Sequence, residues 1–158
     1  MKALLLKWRE GIILTLVLFA INVGGRIAAK VVKAATEVEL EKKQSLLGFI
    51  TMGVLFLVFF GVTLAWGRSR SIAKVAMSVG FPAAAACLLN MFISPLVVGD
   101  SPFDAGWGAF FANIWILGGL AIAGVGLGLI ALIAFGADYR AKQLKNFAER
   151  TKAQPRRV

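Results

Sequence analysis

Three stretches of this chain carry no charged residue over lengths that an aqueous fold does not sustain: Leu46–Trp66, Val75–Gly99 and Ala109–Ala137. Each exceeds the ~20 residues that take a helix across a hydrocarbon core ~30 Å thick. A segment in that environment satisfies its backbone internally, as a helix or as part of a closed barrel. Barrel strands alternate polar and apolar positions, whereas "GFITMGVLFLVFFGVTLAW" is apolar at consecutive positions. The chain is therefore expected to be an all-α integral membrane protein. Its composition agrees: 59% of the 158 residues are hydrophobic, against about 45–50% apolar residues in soluble domains.

A fourth span is harder to place. The run from Gly11 to Gly25 is uncharged but short, and Arg26 closes it after a glycine pair. "MKALLLKWRE" followed by "GIILTLVLFAINV" has the order of an export signal. The helical period nevertheless continues past the charge. Arg26, Lys30 and Lys33 recur at i, i+4 and i+7, and Ile27, Val31, Ala35 and Val38 hold a second face. Lys33 and Glu37, and Glu39 and Lys43, are spaced for ion pairs on such a helix. A helix from Gly11 to Lys30 rises about 28 Å, enough to cross, and its basic side chains can reach headgroups from the apolar zone. The segment is therefore read as a spanning helix with a charged helical extension, a stalk or a helix in the headgroup plane.

The expected architecture is a single membrane domain, 1–158, with four transmembrane helices near 11–32, 46–66, 75–98 and 109–136, helical extensions after the first and fourth spans, and a basic tail at 138–158. The charges orient it. Of 18 Lys and Arg residues, 13 lie in Met1–Glu10, Gly67–Lys74 and Asp138–Val158, and five lie between Arg26 and Lys43. The positive-inside rule places both termini in the cytoplasm, in a bacterial inner (plasma) membrane. Trp8 and Trp66 then mark one interface, and Trp107 and Trp115 the other. The net charge of +10 is absorbed by this topology, so no nucleic-acid partner is expected.

Reactive chemistry is sparse. The chain has no histidine and one cysteine, Cys87, and no acidic residue falls inside a span. The usual general base, most zinc sites, haem ligation by histidine and an intramembrane carboxylate relay are thereby removed. Asp100 and Asp104 form a loop pair, too few ligands for a calcium cage. "GLGLIALIAFG" lacks the Lys and Ser/Thr that complete a phosphate loop. No catalytic, cofactor or metal site is expected, and the chain reads as a non-enzyme.

What remains is packing chemistry. In the third span Ser78, Pro82, Ala86, Asn90 and Ser94 step by four and form one small or polar stripe. Pro82 and Pro95 each remove a helical hydrogen bond, and broken backbone survives in lipid only against protein or water. Ser78, Pro82, Asn90, Ser94 and Pro95 are accordingly read either as a packing seam or as a path with hinges. Gly124 and Gly128, extended by Gly119 and Ala123, form a small-xxx-small ridge that seals the bundle or joins subunits. Asn22 and Asn113 are placed to hydrogen-bond between helices.

Absent chemistry, small-residue seams and charged extensions point to a non-enzymatic subunit or scaffold of a larger membrane assembly: a secretion, conjugation or transport machine. Its expected partners are the lipid bilayer and other membrane subunits or copies of itself. These would meet Gly119, Ala123, Gly124 and Gly128, or the face of Arg26, Lys30 and Lys33, with anionic lipid headgroups at the basic tail. One alternative is a small self-assembled channel or transporter with a path along the third span. A weaker one is an accessory protein for lipid-linked substrates.

Overall fold

A computed structural model describes residues 2–103, 106–137 and 139–153, with side chains from Trp8 to Arg150 apart from Ala109. Five helices account for nearly all of it: α1 (Lys2–Val31), α2 (Glu37–Gly67), α3 (Ile72–Val98), α4 (Gly106–Ala134) and α5 (Tyr139–Ala153). No strand occurs among the described residues. The first four helices are long and apolar enough to cross a membrane.

Antiparallel hairpins α1–α2 and α3–α4 lie side by side, so that α1 packs chiefly on α3 and α2 on α4. The buried layer between them contains Leu14 and Leu18 of α1, Leu55 and Phe59 of α2, Val75, Val79, Ala83 and Ala86 of α3, and Leu117 of α4. Outward positions are just as apolar: Phe49, Leu57, Phe81, Leu88, Ile122 and Ile130 are all exposed. Apolar surface of that extent is foreign to a water-soluble monomer and matches a lipid surround.

Both ends of the bundle are pinned. At the end holding the start of α1, Arg70 pairs with Glu10 and lies 4.7 Å above the Trp66 ring. At the loop end, Lys30 Nζ donates to Asp100 Oδ1 at 2.8 Å and to the Val98 carbonyl at 2.6 Å. Asp100 is therefore the partner of Lys30; Asp104, the other half of the expected acidic pair, lies outside the described residues.

Two helix boundaries depart from expectation. The continuous extension from Arg26 to Lys43 is interrupted at residues 32–36. Thr36 adopts extended backbone and its side chain accepts from the Glu39 N–H at 3.4 Å, starting a new helix. The capping signature is Thr-x-x-Glu, visible at 36–39. The charged extension thus precedes the second span on α2 instead of following the first. Lys33 and Glu37 lose their common helix, while Lys43 and Glu39 keep theirs at 3.3 Å. Thr36→Ala is expected to cost about 1 kcal/mol locally, seen as faster amide hydrogen exchange at residues 38–40 with the rest of α2 unchanged.

The second departure is at the tail. It is a separate helix, because Gly136, at φ 59°, closes α4 with hydrogen bonds from Gly136 N–H to Ile133 and from Ala137 N–H to Leu132. Lys142 Nζ then reaches the Arg68 carbonyl at 3.4 Å, bringing α5 beside the α2–α3 turn.

Candidate functional site

Asn22 and Arg26 are one turn apart on α1, and α4 brings Asn113 to the same place. Arg26 Nε donates to Asn22 Oδ1 at 3.2 Å, and Arg26 Nη2 donates to Asn113 Oδ1 at 3.3 Å. A guanidinium has five N–H donors, so two neutral amide oxygens fix its plane and leave most of its donors unused, while Asp100 acts on its charge from a distance. Its position was expected to be a headgroup contact or an outward partner face. Arg26 instead turns into the bundle, and Lys30 is held at the end of α3. Lys33 is exposed in the 32–36 linker. Those three residues therefore do not form a common face.

Local packing opens a cavity of about 190 Å³ in front of Arg26. Gly25 lets α2 approach, because a side chain there would collide with Thr51. Thr51 donates its hydroxyl proton to the Leu47 carbonyl at 2.8 Å. Gln44 Nε2 donates to the Ala29 carbonyl at 3.2 Å, tying the mouth of the cavity to α1. All four long helices contribute to the wall, with Gly48 and Thr51 of α2, Cys87 and Asn90 of α3, and Leu117 of α4 among the lining residues. This polar cluster was not assembled from the sequence, although the Asn22–Arg26 spacing hinted at it.

Asn90 is 3% exposed, and neither its amide nitrogen nor its amide oxygen has a hydrogen-bond partner. Ser94 Oγ, one turn further on, is in the same condition. Pro82, Ala86 and Pro95 are buried on this side of α3, and Ser78 is half-buried. The helix runs through both prolines without interruption, so no hinge is visible at either. Pro82 serves as a contact for α1: a side chain at Gly11 would stand 3.4 Å from its ring, and Thr15 Oγ1 lies 3.4 Å from its carbonyl. Ser78 lines a second cavity, of about 290 Å³, with Trp8, Glu10, Arg70 and Phe81. The apolar layer of Leu14, Leu18, Phe59, Val79 and Ala86 separates the two cavities.

The glycine ridge divides into two faces. Gly124 and Gly128 are buried against α2, where added side chains would stand 2.7 Å from Phe59 Cβ and 2.9 Å from Thr63 Cβ. Gly119 and Ala123 are exposed, and a side chain at Gly118 or Gly119 would meet nothing within 4 Å.

No protein-family model matches this chain, and no curated protein and no solved structure matches it.

Proposed function

We propose that this chain is a non-enzymatic subunit or scaffold of a larger membrane assembly, lying in a bacterial plasma membrane with both termini cytoplasmic. The orientation rests on the charge count: 13 of 18 basic residues lie in the sequence segments 1–10, 67–74 and 138–158. On that side the exposed Leu144 and Phe147 of basic α5 offer a contact to anionic headgroups.

The observation that carries the subunit reading is the outer face of α4. Gly118, Gly119 and Ala123 spend small residues where the bundle itself needs none. Beside them runs an apolar groove of about 470 Å³ between α3 and α4, bordered by Gly80, Ala84, Leu88 and Ile122. Small residues on a lipid-facing helix let a second backbone come close, which is how helices associate without a hydrophobic driving force. With Cys87 replaced by Ala, Gly119→Cys in native membranes is expected to cross-link on oxidation to a neighbouring protein or a second copy. A monomer at every oxidant concentration, and no companion in a mild-detergent extract, would remove this reading.

A second reading, a channel or transporter, is favoured by the unpartnered Asn90 and Ser94 on α3. It requires the Leu14–Phe59 layer to part and join the two cavities. Solute flux into proteoliposomes of the purified chain is the measurement that separates it; no flux above empty vesicles disposes of it.

A further inference from the structure

We propose that the cavity in front of Arg26 is a binding site for an oxyanion of the phosphate type, either free or carried on a lipid headgroup.

The argument begins with the charge. A cation within a bundle of this kind is costly unless it pairs with an anion or reaches water. Among the described residues, Arg26 makes no hydrogen bond to a carboxylate. Its two partners are the neutral oxygens of Asn22 and Asn113. Asp100 acts on Arg26 only through its field, because its carboxylate is hydrogen-bonded to Lys30 at 2.8 Å. The Asn22 and Asn113 contacts orient the guanidinium fork without neutralising it, which is the arrangement that suits bidentate binding of a planar or tetrahedral oxyanion.

The cavity supplies room and a second polar group. Its 190 Å³ holds a phosphate-sized group with water. Asn90 also borders the cavity, and its amide, buried without a partner, becomes a donor to an anion there once the side chain turns toward the cavity. The two polar residues come from α1 and α3, so an anion between them bridges the hairpins. The α2 wall includes Gly48, where a side chain would meet nothing within 4 Å. The inference does not depend on the subunit reading, because it concerns a cavity inside one chain and not the outer face of α4.

The test uses the full chain in nanodiscs. Inorganic phosphate is titrated against thermal stability at constant ionic strength set with chloride, in phosphatidylcholine. In parallel, native mass spectrometry counts lipid retained from discs containing phosphatidylglycerol. The wild-type chain is expected to gain melting temperature with phosphate if the anion is free, or to retain phosphatidylglycerol if it is lipid-borne. Arg26→Gln should weaken either response by about tenfold or more. Gly48→Leu fills the cavity from α2 without touching Arg26, so it should abolish the response in a chain whose folding is undisturbed. If Arg26→Gln does not fold, Gly48→Leu alone decides. Equal responses in wild type and Gly48→Leu, or no response to either source in the wild type, overturn the proposal.

Discussion

Gly124→Leu should destabilise the bundle by about 2–3 kcal/mol, the usual cost of overpacking, whereas Gly126→Leu two residues away should be tolerated. The difference lies in what each side chain would meet. At Gly124 the first carbon alone stands 2.7 Å from Phe59 Cβ, 3.1 Å from the Phe56 carbonyl oxygen and 3.3 Å from the Phe60 nitrogen. Two of those three atoms are backbone, so no rotamer change on α2 relieves the contact. Gly128 repeats the situation one turn on, with the Phe60 carbonyl oxygen at 3.2 Å. The loss would spread, because Phe59 is fully buried and ties the α2–α4 pair to α1 and α3. A side chain at Gly126 meets nothing within 4 Å. There the substitution removes a helix-interior glycine, worth up to about 1 kcal/mol in propensity. Unfolding by graded denaturing detergent gives the two free energies. Similar midpoints for Gly124→Leu and Gly126→Leu would mean that α4 does not meet α2 along this edge.

The same helix shows which features of the fold the residues declare and which they do not. Four helices were legible because uncharged length is a one-dimensional property. The expected spans 46–66 and 75–98 fall within α2 and α3. Which helix lies against which was not legible. In the spans nearly every side chain is apolar all round, since lipid and protein interior are equally oily, and no amphipathic face marks the inward side. Only small and polar residues carry facial information there. That is why the stripe from Pro82 to Ser94 could be assigned an inward face, while Leu18 and Leu16, one buried and one exposed, could not be told apart. The break before α2 had a local signal in Thr36 and Glu39, but the charge pattern of a continuous helix masked it. The Arg26 cavity had only a faint local signal, the one-turn spacing of Asn22 and Arg26. Its residues are 87 positions apart in the case of Arg26 and Asn113, and they meet only because the folded bundle brings their side chains together from α1 and α4, helices that pack on α2 and α3 more than on each other.

Asn90→Leu is expected to stabilise the isolated protein, by about 1–3 kcal/mol, although it replaces a central residue of α3. Both polar atoms of the Asn90 amide are buried without a hydrogen-bond partner, so the folded state bears their desolvation cost with nothing to offset it. A leucine of similar shape removes that cost and extends the apolar layer that already contains Ala86, Leu55 and Leu117. Ser94→Ala should act in the same direction with a smaller gain, since one hydroxyl is involved instead of two amide groups. Detergent-denaturation midpoints of the ligand-free protein measure both. A loss of 1 kcal/mol or more in Asn90→Leu would show that the amide supports the fold through contacts made in solution, and Asn90 would then be a packing residue. A gain has the opposite meaning. A residue that costs the free protein stability, and whose removal also weakens the response to phosphate, is placed for binding and not for packing. The stability gain alone does not separate that role from an indifferent buried amide. The paired measurement does, because only a ligand-facing Asn90 couples the two effects, and an indifferent one would leave the phosphate response of Asn90→Leu equal to that of the wild type.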